Sequence, residues 1–163
     1  MCDSLRVIFL NDASGLNIRY RSSLMSRFEL QGYTVQSLGL RDSVPSFVSL
    51  ILSSYLHSHV FISSNMRSNL VSLAFCKRNT INIILNGFGR LRGQRWARIA
   101  IATLLMSRAR SVAVQNYADF RYLRRYYLSD VRLHWICGSG GNSRDTGQSK
   151  GRFSVSRDSK LLA

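Results

Sequence analysis

Short apolar runs and helical stretches alternate along this chain, and that alternation leaves few folds open. The first run, Arg6-Val7-Ile8-Phe9-Leu10, shows no polar–apolar alternation, as in a strand buried on both faces of a parallel sheet. A polar loop at 11–17 follows. Over 18–31, Leu24 and Phe28, and less regularly Met25 and Leu30, fall near helical spacing. Gly32 can then take a positive φ and stop the helix. Residues 33–38 read as a second strand. Strand, helix, glycine and strand within about 35 residues is the size of a βαβ unit.

The pattern repeats downstream. Residues 44–56 read as a helix, with a cap in Asp42-Ser43 and Pro45 near its first turn. A third strand is expected at 60–63, a short helix at 68–76 and a fourth strand at 81–85. A Gly/Arg loop at 86–93 leads to a helix at 94–108. A fifth strand at 111–114, an Arg/Tyr-rich amphipathic helix at 118–128 and a sixth strand at 131–136 complete the series. Six strands alternating with five helices predict an α/β, Rossmann-like doubly wound domain with a mostly parallel sheet, over residues 1–142. After Gly138, Gly, Ser and charges dominate, so 143–163 reads as a linker or disordered tail.

Charge narrows the partners. Lys and Arg number 23 against 8 acids, a net charge of +15, and 20 of the cations are Arg. Such a chain is expected to meet phosphate, nucleic acid or an acidic membrane surface. Three widely spaced cysteines, Cys2, Cys76 and Cys137, argue against a disulfide framework and a four-ligand zinc site. No run reaches the roughly 18–20 apolar residues of a membrane span. The chain therefore reads as soluble and cytoplasmic.

Ligands of open α/β sheets sit at the carboxyl ends of the strands, so the loops there hold the candidates. Ser14-Gly15 precedes a helix and could face a phosphate or a sugar hydroxyl. The loop at 63–69 carries Arg67, suited to bidentate phosphate binding. Gly87 and Gly89 would let the backbone approach a ligand. Gln115-Asn116 and the glycines at 138–141 close the next two strands. No dinucleotide fingerprint or P-loop is present. His57, His59 and His134 have no metal-site company, and no Ser-His-Asp or Cys-His set is evident. Asp12 could act as a base or simply as a turn hydrogen-bonder. Arg121, Arg124 and Arg125 share a helix with Tyr117, Tyr122, Tyr126 and Tyr127, while Arg90, Arg92, Arg95 and Arg98 gather at another helix start. This interleaving fits single-stranded nucleic acid, a peripheral membrane face or a solvated surface.

Five short motifs lie in a familiar order. Arg21-Ser22-Ser23-Leu24 leads through Gly32-Tyr33-Thr34-Val35. His59-Val60-Phe61-Ile62-Ser63 leads to Arg67-Ser68-Asn69. Asn86-Gly87-Phe88-Gly89, then Val114-Gln115-Asn116-Tyr117-Ala118-Asp119, then Ile136-Cys137-Gly138-Ser139-Gly140-Gly141-Asn142 follow. Over about residues 5–145 the chain resembles the N-terminal domain of family 4 glycosyltransferases, the retaining enzymes of two Rossmann-like halves, in the branch that makes capsule and O-antigen. It departs at Ser68 for Pro, Asn86 for Thr and Gly141-Asn142 for Val-Asp.

The resemblance implies the acceptor-binding half of such an enzyme, incomplete alone and peripheral at the inner face of the cell membrane. The acceptor would be a lipid-linked saccharide. A C-terminal donor domain, in cis or in trans, would bind the nucleotide-sugar, and this chain would hold no cofactor itself. Gly15, Gly87 and Gly89 would allow close backbone approach. Arg67 would neutralise phosphate, and Asn69 would bond sugar hydroxyls or hold its own loop. No catalytic residue is assigned. A basic module binding nucleic acid is the alternative, ranked behind the transferase. A nucleotide-binding regulatory domain comes third.

Overall fold

A computed structural model describes residues 6–88, 93–126 and 132–136. Its elements are β1 (Arg6–Asn11), α1 (Ser14–Leu30), β2 (Thr34–Gly39), α2 (Val44–Leu52), β3 (Val60–Ser64), α3 (Met66–Phe75), β4 (Ile81–Leu85), α4 (Arg95–Arg108), β5 (Ala109–Val114), α5 (Tyr117–Tyr126) and β6 (Leu133–Trp135). A 3₁₀ turn, Ser53–Tyr55, follows α2. The strands form one sheet in the order β2-β1-β3-β4-β5-β6. Every pairing among the described residues is parallel, so the expected doubly wound α/β fold is present. Gly89, the cysteines at 2 and 137, and the tail at 143–163 lie outside the described residues.

The chain leaves β1 in one direction to form β2, then returns past β1 to form β3 and continues outward. This reversal places helices on both faces. Val7 and Phe9 of β1, with Ile62 and Ile84, pack under Leu24, Met25 and Phe28 of α1. Ile8, Leu10, Phe61, Ile83, Leu85, Val112 and Val114 form the larger core with Phe47 and Ile51 of α2, Leu73 of α3, Leu105 of α4 and Leu123 of α5. Among the described residues the two faces are therefore unequally covered. Among the described residues α1 is the only helix packed into the smaller core. Asn82, Ser111 and Ala113, on that same face, are only partly buried, and His134 beside them is exposed.

Local chemistry sets several boundaries as expected. Gly32 takes φ +84° and ends α1, with Tyr33 N–H donating to the Phe28 carbonyl (3.1 Å) in a Schellman-type closure. The Phe28 and Tyr33 rings meet edge-on at 5.8 Å. Ser43 caps α2 by accepting from Ser46 N–H (3.3 Å), and Pro45 occupies its first turn.

Other boundaries differ, for tertiary reasons. α1 begins at Ser14 rather than at residue 18. Its N-cap residue, Ala13, has no capping side chain. The Asp42 carboxylate, from the loop after β2, accepts from Ser14 N–H (2.9 Å) instead. α3 begins at Met66 rather than at 68, and the Asp12 carboxylate accepts from Ser68 N–H (3.2 Å). β5 begins at Ala109, two residues before the expected start at 111, because the register shifts between Ile81 and Asn82. The expected helix at 118–128 starts one residue earlier, at Tyr117, and is described to Tyr126, its last two expected positions lying outside the described residues; β6 is shorter than 131–136.

The Asp42 cap has a consequence for acid stability. Hydrogen bonds from Ser14, first from its side chain and then from its backbone, hold Asp42 below its ordinary value, against a smaller effect of burial. A carboxylate depressed in the folded state contributes stability above its unfolded value, and that contribution fades as pH falls through the folded one. Amide exchange at Ser14, Gly15 and Leu16 should therefore accelerate, relative to intrinsic rates, as pH drops below about 4. In Asp42→Asn that acid-dependent component should vanish. An unchanged exchange profile in the variant would show that the cap does not hold α1.

Candidate functional site

The strand order reverses between β1 and β3, and a crevice of about 220 Å³ opens at the carboxyl ends of the strands there. Side chains alternate along each strand, so one face collects the final residues of several strands. On the α1 side these are Asn11 of β1, Ser64 of β3, and Asn86 and Gln115 just beyond β4 and β5. With Asn65, they form one wall. Leu16, Tyr20 and Arg21 of α1 form the other.

A directional chain of amides runs along the crevice. Asn86 Nδ2 donates to Asn65 Oδ1 (2.9 Å), and Asn65 Nδ2 donates to Asn11 Oδ1. Asn11 Nδ2 donates to Asn17 Oδ1 (2.9 Å) and to Ser64 Oγ (3.2 Å). Asn17 Nδ2 donates to the Phe9 carbonyl (3.1 Å) and to Ser37 Oγ (3.0 Å). Asn11 Oδ1 also accepts from Asp12 N–H (2.8 Å). Asn11 and Asn17 are fully or nearly fully buried, so these bonds satisfy groups that water cannot reach. Asn65 sits at φ +74°, ψ 146°, a conformation that costs a non-glycine residue on the order of 1–3 kcal/mol. Its two side-chain bonds hold it there. Such strain at a ligand-sized crevice marks a place where backbone geometry is imposed rather than relaxed.

Arg21 enters this setting almost wholly buried, at 4% exposure. Burial lowers its pKa from the ordinary value. Among the described residues no carboxylate lines the crevice. Three nearby acids serve backbone amides instead: Asp12 holds α3, Asp42 holds α1, and Asp119 Oδ2 accepts from Phe88 N–H (2.9 Å). Asp12 is thus a hydrogen-bonder at a helix start, and its partner is 56 residues away rather than in its own turn.

No family model, curated protein or solved structure matches this chain. The site is therefore read from its own geometry.

The residues singled out in the sequence do not all converge. Gly15 lies exposed in the first turn of α1, and a Cβ there would meet nothing within 4 Å. Gly87 takes φ +144°, and a Cβ would sit 2.9 Å from Asp119 Oδ2, so glycine is required by the turn and by that carboxylate. Arg67 is exposed on α3 and does not line the crevice. Asn69 is buried and its Nδ2 donates to the Ile84 carbonyl (3.1 Å), tying α3 to the end of β4. Asn11 and the buried position of Arg21 were not anticipated, whereas Ser64 and Asn65 fall inside the candidate loop at 63–69. The available signal was the polar residue that closes each apolar run.

A second feature lies on α5. Tyr117, Phe120, Tyr122, Arg121, Arg124 and Arg125 line an open trough of about 680 Å³. Tyr117 packs on Phe120 (6.1 Å) and against Trp135 (5.1 Å). Arg98 of α4 stacks over the Tyr122 ring at 4.5 Å, a cation–π contact that orders the join between the two helices. Trp96, at the start of α4, is 81% exposed. Among the described residues no helix is long and apolar enough to cross a membrane, and no cluster of three or more His, Cys, Asp or Glu could hold a metal ion.

Proposed function

We propose that this chain is the acceptor-binding half of a retaining glycosyltransferase, which moves a sugar from a nucleotide-sugar to a lipid-linked saccharide in cell-surface polysaccharide synthesis. The observation that carries this reading is the switch-point crevice, walled by amides and a hydroxyl and open to solvent on one side. Saccharide hydroxyls donate and accept, and side-chain amides can answer both needs. The order of the five motifs supports the same reading, because Asn86-Gly87-Phe88 and Gln115-Asn116 stand at this edge of the sheet. The donor nucleotide is left to a second domain, in cis or in trans. The α5 trough supports a peripheral position at the inner face of the cell membrane, with tyrosines at headgroup depth and arginines on acidic lipid.

Sugar transfer to a polyprenyl-diphosphate-linked saccharide is expected when the chain is co-expressed with a matching donor domain, and not from the chain alone. Strong transfer by the chain alone would overturn the half-enzyme reading. Absence of transfer with every donor domain tried, together with no binding of the acceptor, would overturn the acceptor role. Arg and aromatic side chains interleaved on α5 favour a second reading, a module that grips single-stranded nucleic acid. Nanomolar oligonucleotide binding that falls steeply with salt would select it. A preference for acidic liposomes would select the first.

A further inference from the structure

A cavity of about 390 Å³ opens at the amino ends of β3, β4 and β5, the opposite end of the strands from the crevice. Tyr55 and the segment 56–59 lead into β3 along one wall. Lys77, Asn79 and Thr80, between α3 and β4, form another, and Arg110 joins them from β5. Charge is segregated here. The lining carries Lys77 and Arg110, and among the described residues no carboxylate lines it. Asp12, Asp42 and Asp119 are engaged at the carboxyl ends of the strands, and Glu29 lies on α1, across the sheet.

The 3₁₀ turn after α2, and the helices α3 and α4, all end at this edge, and helix C-termini favour cations. Their carbonyls have other donors. The Ser53 carbonyl accepts from His57 N–H (2.9 Å) and the Arg108 carbonyl from Asn79 N–H (2.9 Å). The Cys76 carbonyl accepts from Arg108 Nη2 (2.8 Å), and the Lys77 carbonyl from Thr80 Oγ1 (2.7 Å). The side chains of Lys77 and Arg110 take no part in this capping. Arg110 is placed by a bulge instead. Ile81 pairs with Ala109 and Asn82 with Ser111, which makes Arg110 the extra residue. A bulge re-aims a side chain, and one between parallel strands is rare. An aromatic column lines the same cavity. Buried Phe61 meets His59 (6.3 Å), and His59 stacks on exposed His57 (5.2 Å, 14° between planes). Tyr55 is 53% exposed.

We propose that this cavity is a mononucleotide site, in which Lys77 and Arg110 hold the phosphate and the aromatic wall of Tyr55 and His57 stacks the base. Two cations answer the phosphate charge, and the guanidinium adds a planar fork for two of its oxygens. A base offers a flat π-face to the rings. Thr80 Oγ1 spends its proton on the Lys77 carbonyl and keeps lone pairs for a ribose hydroxyl. The volume is that of a small-ligand cavity. The site is independent of the saccharide reading, whose crevice lies at the other end of the sheet.

Adenosine 5′-monophosphate, inorganic phosphate and adenosine are titrated separately into the isotopically labelled chain at constant ionic strength. The backbone amide signals of residues 55–59 and 77–80 are followed by NMR. The monophosphate is expected to move them in a saturable way, about ten-fold more tightly than phosphate or adenosine alone. Lys77→Gln and Arg110→Gln should each weaken it about three-fold, and together about ten-fold. Both side chains are exposed, so their loss spares the core. Tyr55→Leu should weaken the monophosphate about five-fold and leave inorganic phosphate as it was. Arg27→Gln, at an exposed position near the end of α1, should change nothing. Inorganic phosphate that binds as tightly as the monophosphate, or an equal loss in Arg27→Gln, overturns the proposal, because overall positive charge would then suffice. Shifts confined to the crevice or to α5 overturn it as well. So do acidic phospholipid vesicles that move these amides where the monophosphate does not.

Discussion

Replacing Gly39 with alanine is expected to lower the melting temperature by about 10 °C and to loosen α1 from the sheet. Gly39 ends β2 where that strand meets the start of α1. A Cβ there would fall within 3.0 Å of Ser14 N, Ala13 Cα and Asp42 Oδ2. Two of those atoms are backbone and cannot swing aside, so α1 itself must move. The displacement strains the cap from Asp42 to Ser14. It also strains the bonds from Leu40 N–H to the Asn11 carbonyl and from Arg41 N–H to the Asp12 carbonyl, both 2.8 Å. Overpacking costs about 1–3 kcal/mol and loss of a cap about 1 more. Each kcal/mol is worth roughly 2–4 °C in a domain of this size. Gly15→Ala is the matched control. It lies in the same helix start, where a Cβ meets open space, and it should leave stability unchanged or raise it by about 0.5–1 kcal/mol. Thermal unfolding followed by circular dichroism reads both variants. Equal melting temperatures for Gly39→Ala and the unsubstituted chain would show that the joint is soft. Because α1 carries Arg21, Tyr20 and Leu16, the variant should also lose ligand response at the crevice.

Asn11→Leu is expected to cost about 4 kcal/mol. Leucine keeps the branched outline of asparagine and leaves no cavity, so the loss reports chiefly the missing hydrogen bonds. Asn11 is 4% exposed and bonds Asn17, Ser64, Asn65 and the backbone of Asp12. Leucine would leave several of these partners unpaired away from water, at about 1–3 kcal/mol each, less whatever solvent reaches from the crevice mouth. Asn65 would also lose one of the two bonds that hold its φ of +74°. Urea unfolding should show a lower midpoint with an unchanged slope. A loss under about 1 kcal/mol would mean that water replaces the network freely.

The apolar runs announced the sheet because a strand buried on both faces needs no alternation, and residues 81–85 read alone as β4. Gly32 announced the end of α1 through the one backbone conformation it adopts easily. The starts of α1 and α3 were hidden, because their caps come from Asp42 and Asp12, residues remote in the chain. The site was legible only as a set of loops. Arg67 read as part of a polar loop and so as a phosphate ligand, yet it lies exposed in the first turn of α3. Arg21 stands in a helix among other arginines, and nothing in its neighbours reveals that one turn carries it beneath the surface. Burial of a charge is a property of the assembled sheet and helix. The pairing of Gly87 with Asp119 is of the same kind, since a glycine's need for space is set by a carboxylate 32 positions away.

The uneven clothing of the sheet gives the crevice a mechanical meaning. β1 and β2 lie beneath a seventeen-residue helix, whereas among the described residues the same side of β4, β5 and β6 carries partly buried Asn82 and Ser111 and exposed His134. Asn11 belongs to the sheltered half, and Asn86 and Gln115 rise from the bare one. A guest seated between them would act as a rivet across that seam, stiffening the side of the sheet that is least clad among the described residues.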